Sequence, residues 1–490
     1  MRLRSFRLVP ALVVVLLLLV PAFAMAQDAP TDADIAINTT FVFIAAVLVL
    51  FMQAGFAMLE VGLSRMKNAG AVMGKILINL SIAFLMFWAV GFSFAFGTGN
   101  DFIGSSGWFM NNGNPGSDFA SLAYSVTNFE VTYFFQVVFA AVSLAIVFGA
   151  MLDRTKFIGY IIFAIVFTGF IYPTVAHWTW GGGWLLQDGF QDFAGSSIVH
   201  LQGALAAAAG AIVLGPRIGK FRDGKPVPIP GHSIPLTILG VIILWVGWMG
   251  FNPGSFLNAV GVNFADVAVN TNLAAAAGVI GATIGSLIMF KTLDVTQMGN
   301  GALAALVGIT APCAFVDPWA AVVIGLVAGL IVPPLIVAVD KIKIDDPIGA
   351  LPVHGMAGIW GTLACGLFAT QERATSLAVG VGGLFTEGTG HQLWVLFYGV
   401  AATVGFTFTL SLIVFLAIKY TVGLRVSEEH ELRGLDISEH GMFGYPDRFI
   451  EVPGAESEDL PAAPAPAPAG TGAAGRSSDS APGTSMKRSG

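Results

Sequence analysis

Two short stretches of the chain each set an acid and a histidine on one apolar segment. In DFAGSSIVHLQ, Asp192 stands eight residues before His200; in DPIGALPVHG, Asp346 stands eight residues before His354. Each histidine follows a valine, so the two stretches repeat one pattern and mark an internal repeat. A histidine in an apolar segment needs a partner or a water-lined cavity. Two of them in matching repeat positions can serve each other. Adjacent neutral imidazoles share a proton between ring nitrogens, and an apolar surrounding favours their neutral forms near pH 7. Such a pair accepts and relays a proton without becoming a fixed charge.

Aromatic residues supply the rest of a possible path. Phe135 and Phe139 share one segment, Trp180 precedes Gly181, Gly182 and Gly183, and Trp248 and Phe251 are followed by Asn252, Gly254 and Ser255. Most aromatics in such a chain serve packing or an interfacial belt. Trp180, at a helix end, could still turn a ring face to a cation arriving from water. A cation at an aromatic mouth, a phenylalanine throat and two histidines in series would select for something that can lose a proton.

These residues need elements to hold them, and the composition says of what kind. The chain has 490 residues, 55% hydrophobic and only 11% charged, with a mean hydropathy of +0.78. That is too apolar for a soluble domain, and the fold expected is an all-α polytopic membrane protein in a lipid bilayer. The formal charge of −7 and singly scattered Lys and Arg argue against nucleic acid. Cys313 and Cys365 both lie in apolar segments and read as small core residues. No enzymatic step, cofactor or metal is expected.

In chain order, residues 1–26 read as a signal peptide: Arg2, Arg4 and Arg7, then an apolar run, then Ala24-Met25-Ala26. The mature chain is expected to start near Gln27. Residues 27–420 form the transmembrane domain. Its eleven apolar segments lie at roughly 38–62, 72–97, 130–152, 157–177, 194–215, 233–255, 266–290, 298–316, 319–339, 350–370 and 393–419. With the N-terminus outside, Arg65, Lys67, Lys75, Arg154, Lys156, Arg217, Lys220, Lys341 and Lys343 all fall in or beside cytoplasmic loops, and only Arg373 falls outside. The C-terminus is then cytoplasmic, residues 421–452 pack on that face, and 453–490 form a disordered Pro- and Ala-rich tail.

His200 and His354 fall on the fifth and tenth segments, so the repeat unit is five helices. Five is odd, so the second copy inserts inverted, giving a 5+5 inverted repeat plus one helix. Its functional site is expected between the halves. Gly55-Phe56 on the first segment and Gly250-Phe251 on the sixth echo the same pairing.

With HWTWGGG, DFAGSSIVH, GWMGFNPGS, VGITAPC, DDPIGALPVHG and GLRVSEEHELRGLDISEHG in this order, the chain resembles the ammonium transporter family (Amt/Mep/Rh) from about Thr40 to Pro446. The tail and Trp180 make it similar to the Amt/Mep branch. The resemblance implies a homotrimer in the cytoplasmic (inner) membrane, one pore per subunit, and ammonium and methylammonium as substrates. Residue by residue, it implies recruitment of ammonium at Trp180, Ser255 and Phe139, and a gate of Phe139 and Phe251. His200 and His354 would line the lumen as twin histidines, with Phe135 and Trp248 as further lining. Asp192 would hold structure and attract the ion electrostatically, and Thr310, at a vestibule position, would share that structural or electrostatic role. The family tail touches cytoplasmic loops and a neighbouring subunit, and a PII signalling protein is an expected partner. Departures are Leu351 where an aromatic is common, Pro253 in place of a small residue, and Glu60 where some members have tyrosine. Glu60 reads as an interfacial partner of Arg65, Lys67 or Lys75. Two rival readings are an ammonium sensor acting through its tail and a channel for a neutral gas.

Overall fold

The computed structural model describes residues 29–111 and 115–446. The signal peptide expected at 1–26 and the tail expected from 453 lie outside the described residues. Among the described residues ten helices are long and apolar enough to cross a membrane. They are α1 (Asp32–Leu63), α2 (Met66–Phe96), α3 (Phe129–Gly149), α4 (Phe157–Gln187), α5 (Ser196–Leu214), α6 (Ile234–Gly254), α7 (Phe264–Phe290), α9 (Pro318–Lys341), α10 (Leu351–Phe368) and α11 (His391–Thr421). Between α7 and α9 lies α8 (Val295–Thr310), 16 residues long. At 1.5 Å per residue it spans about 24 Å, less than the roughly 30 Å of a hydrocarbon core. It stops short of the segment expected to Val316 because Pro312 cannot continue the ladder, and the chain turns there, with Phe315 N–H donating to the Pro312 carbonyl at 2.7 Å.

The helix starts follow local chemistry. Thr31 and Asp34 form a capping box at the head of α1, and Asp294 accepts from the Thr296 and Gln297 amides to open α8. The outer walls are apolar, with Ile37, Phe43, Ile44 and Phe51 of α1 and Leu77 and Leu85 of α2 exposed. Hydrocarbon is the medium that suits such walls.

Small residues let the inner helices touch backbone to backbone. Along α1 and α6, Gly62 meets Thr237, Gly55 meets Gly240, and Ala45 meets Gly250, so the two helices run antiparallel. A Cβ on Gly240 would stand 2.4 Å from the Leu59 nitrogen, and one on Gly250 2.4 Å from the Ala45 oxygen. No side chain fits at either point. A second seam joins α7 to α9 through Gly278 and Gly329.

One face of the bundle collects the basic loops and ties them together by buried ion pairs. Asp153 accepts from Arg65 and Arg217, each at 3.1 Å, and Arg217 forks onto Asp345 at 2.9 and 3.0 Å. Arg154 donates to the Asp345 carbonyl at 2.8 Å. Burial alone would raise the Asp345 carboxyl, but Arg154 and Arg217 hold it down at about 2. The chain after α11 folds onto this face as α12 (Glu428–Arg433) and α13 (Leu435–His440). Glu431 accepts from the Ile218 amide and Arg425, both at 2.7 Å, and Asp436 accepts from the Gly70 and Ala71 amides at 3.1 and 2.8 Å. Val426 N–H donates to the Arg154 carbonyl at 3.1 Å, so this tail is joined to the start of α2 and to the α3–α4 and α5–α6 connections.

Candidate functional site

The site is built from the two acid and histidine stretches. At the head of α5, Asp192 accepts from the amides of Gly195, Ser196 and Ser197 at 2.8 Å each and of Ile198 at 3.1 Å. Gly195 adopts φ +111°, where a Cβ would strike Val199 and crowd the Trp180 ring. At the head of α10, Asp346 accepts from the Ala350 and Leu351 amides at 3.0 and 2.8 Å. Both acids are helix caps, and what each cap starts is a π turn, Ser196–Leu201 and Leu351–Met356. The wider turn changes where the side chains point, and such turns gather at functional sites.

From these two turns the histidines meet. His200 Nδ1 and His354 Nδ1 lie 3.2 Å apart, with ring centroids at 5.3 Å and planes 18° from parallel. In a hydrogen bond of this kind one Nδ1 donates and the other accepts, so the two rings hold different tautomers. His200 Nε2 has no hydrogen-bond partner among the described residues.

Toward the face opposite the basic one, rings close the way. Phe251 packs 5.5 Å from His200 and Trp248 5.3 Å from it. Phe251 stacks on Phe139 at 3.9 Å with planes 9° apart. Phe135 supports Phe139 at 4.6 Å, and Gly254 leaves room for the Phe135 ring, which a Cβ would approach to 2.7 Å. Trp180 lies edge-on 6.2 Å from Phe139, and its indole N–H donates to the Asp192 carbonyl at 2.9 Å. The Ser255 hydroxyl donates to the Phe251 carbonyl at 2.8 Å. Trp180, Ser255, Asp192, Phe193 and Asp266 line a cavity of about 710 Å³ above the stack. The residues nominated from sequence thus form one series: cavity, stacked rings, histidine pair.

Two placements differ from expectation. Thr310 is wholly buried rather than open to a vestibule: it accepts the Trp248 indole N–H at 2.9 Å and donates to the Leu306 carbonyl at 2.7 Å. Glu60 does not pair with Arg65, Lys67 or Lys75. Arg65 binds Asp153, Lys67 donates to the Glu431 carbonyl, and Lys75 donates to the Thr155 carbonyl at 2.9 Å. Glu60 points into the bundle instead, against Gly149, while the three cations are drawn to the basic face.

One ring was missed. Phe56 lies 6.4 Å from the His354 ring, as Phe251 lies beside His200. The signal was present, because Gly55-Phe56 is the repeat partner of Gly250-Phe251. Among the described residues no cluster of His, Cys, Asp and Glu is arranged to hold a metal, and Cys313 and Cys365 are buried and free.

Asp192 contributes charge without an open contact. Burial pushes its carboxyl up to about 6, against the four amides that hold it down. Both oxygens are engaged by those amides, at the wall of the cavity.

The chain is similar to known proteins over most of its length. The profile of the Ammonium Transporter Family matches residues 40–445. Ammonium transporter Amt2 of Archaeoglobus fulgidus is 40% identical over 460 residues, covering 90% of this chain and 95% of its own. Ammonium transporter 1 member 3 of Solanum lycopersicum is 36% identical, covering 86% and 95%. Among solved structures, a protein described as Sensor Amt Protein superposes with a TM-score of 0.77 at 37% identity, over 83% of this chain and 99% of that one. Candida albicans Mep2 gives 0.72 at 29% identity, over 81% and 87%.

Proposed function

This chain belongs to the ammonium transporter family and is a membrane-spanning protein, and from that premise we propose that it takes up ammonium through the path between Trp180 and the histidine pair. In this reading eleven helices cross the cytoplasmic membrane, α8 included, with the N-terminus outside and the basic face in the cytoplasm. Ammonium or methylammonium gathers in the outer cavity, against the Trp180 ring face and the Ser255 oxygen, with Asp192 adding attraction from beneath. The Phe139–Phe251 stack must part to admit it. Beyond the stack lie rings and two imidazoles, where a bare cation costs several kcal/mol and neutral ammonia does not. Ammonium can therefore pass by giving its proton to the pair, and potassium cannot.

The observation that carries this reading is the 3.2 Å contact between His200 and His354 directly under the stacked rings. Three such subunits assemble as a homotrimer, and the tail folded on the basic face couples the loops to transport and to a PII signalling protein. Ammonium-evoked current in proteoliposomes tests the filter. His200→Asp and His354→Ala are expected to change current and admit potassium; variants that exclude potassium and conduct like the parent would overturn it.

A sensor is the second reading, favoured by the similarity to Sensor Amt Protein. Methylammonium uptake by a transport-deficient host separates the two, because a pure sensor gives none.

A further inference from the structure

On the basic side of the histidine pair sits a carboxyl group with no hydrogen-bond partner among the described residues. Glu60 follows Phe56 by four residues on α1, one helical turn or about 6 Å along the same stripe, and Phe56 is the ring beside His354. The Glu60 side chain is completely buried, and neither of its oxygens meets a hydrogen-bond donor among the described residues. It packs on the backbone of Gly149 at the end of α3, where an added Cβ would stand 3.5 Å from Glu60 Oε1 and 2.0 Å from Ile348 Cδ1. Ile348 lies between Asp346 and the first turn of α10. Glu60 therefore faces the base of the helix that carries His354.

The titratable groups around it are already engaged. Lys75 on α2 donates to the Thr155 carbonyl at 2.9 Å and lies 4.9 Å over the Phe148 ring. Tyr160 on α4 donates to Asn79 at 2.7 Å. Gly149 of α3 and Ile348 before α10, which meet Glu60 at one point of the bundle, carry no charge. The other buried acids of this half look different: Asp153 is held by Arg65 and Arg217, and Asp192 by four amides. A buried acid kept for structure is hydrogen-bonded, and leaving one bare costs several kcal/mol. Glu60 has no such hydrogen bond among the described residues, so both of its oxygens are free to take up a proton.

We propose that Glu60 is the proton acceptor on the inner side of the pore, taking the proton parted from ammonium at the histidine pair and returning it to ammonia at the basic face. This rests on the reading above that ammonium is deprotonated at the pair. In the first step an imidazolium N–H bond breaks and a carboxyl O–H bond forms. In the second that O–H breaks as ammonia becomes ammonium, and the carboxylate is restored. Charge and protons balance with no further reactant. Once it has taken the proton the carboxyl is neutral, the form an apolar wall tolerates, and between transfers the nearby positive charge of Lys75 favours the carboxylate that accepts the next one. Phe56 stands 6.4 Å from His354 and Glu60 one turn beyond it, so the proton's path from the pair is roughly 10 Å, which a chain of several waters spans.

The test compares parent, Glu60→Gln and Glu60→Asp in liposomes, reading ammonium-evoked current, methylammonium uptake and the infrared difference spectrum on ammonium addition. Glu60→Gln is expected to lower current by at least about tenfold, the low end of what loss of a positioned proton acceptor costs, while uptake changes less. Glu60→Asp is expected to recover part of the current. The parent is expected to show an ammonium-induced carboxyl C=O band that Glu60→Gln abolishes. Parental current in Glu60→Gln at every pH overturns the proposal, as does a parent without that band. Where Glu60→Gln loses current and uptake together, the band decides: present in parent and Glu60→Asp it supports the proposal, absent it overturns it. A parent current that depends on the histidines but not on Glu60 defeats this proposal alone, whereas a current indifferent to His200 and His354 defeats the earlier reading.

Discussion

Asp192 with His200 and Asp346 with His354 share one motif and hold it with unequal force. Asp192 gathers four amides and, through its carbonyl, fixes Trp180. Asp346 gathers the amides of Ala350 and Leu351 and lines a cavity of about 280 Å³ with Arg217, Lys220 and Asp340 on the basic face. His200 carries two rings, Trp248 and Phe251, and Trp248 is itself pinned by Thr310; beside His354 stands Phe56. The repeat thus places the two histidines, while their neighbours make the entry side rigid and leave the other side closer to charge and solvent.

Removing the caps separates the two copies most sharply. Asp192→Ala strips four charge-assisted hydrogen bonds and is expected to cost at least about 3 kcal/mol, enough to abolish transport, while Asp346→Ala should cost about half as much. Thermal unfolding in detergent measures both, and equal losses would mean that the two caps carry the same load. Next comes Thr310→Val, which leaves the Trp248 indole N–H unpaired for about 1–3 kcal/mol and should slow uptake by loosening the ring against His200. Uptake and stability equal to the parent would show that Trp248 is held by packing alone.

The acid response of the two sides should also differ. Asp345, on the His354 side, titrates at about 2 in the fold, below the roughly 3.9 of an unfolded aspartate. Its ion pairs therefore stabilise fully above about pH 4, and that contribution is lost as pH falls toward 2. Asp345→Asn should flatten this part of an acid-unfolding curve. The smallest effect is on the entry side. Asp192 takes up a proton as pH falls through about 6, so its attraction for cations weakens and the KM for ammonium should rise there with little change in kcat. A KM that stays flat from pH 7 to about 5 would place the attraction elsewhere, Asp266 being the other acid on that cavity.

Much of this arrangement is legible in the residues. Apolar length and scattered charge locate the helices, and the eight-residue spacing of acid and histidine marks the repeat. Geometry that depends on partners is not. Nothing in SSIVHL distinguishes a π turn from an α turn, yet that turn aims His200 at His354. Thr310 carries no sign that its hydroxyl will face an indole, because Trp248 is distant in sequence and reaches it across α6 and α8. The end of α8 was misjudged because hydropathy continues past Pro312 while the backbone ladder cannot. Glu60 was misread because three cations lie near it in sequence, and sequence distance says little about which acid each one reaches.

The glycine seam between α1 and α6 bears on how fast such a molecule can work. With Gly240 against the Leu59 nitrogen and Gly250 against the Ala45 oxygen, the two halves have no clearance to rock past one another. In the proposed reading, opening then falls to the Phe139 and Phe251 rings. Side-chain rotations are faster than the microsecond-to-millisecond swings of whole domains. In that reading a gate of two rings in a fixed frame would open briefly and often, its traffic counted in flickers of a side chain rather than in strokes of a machine.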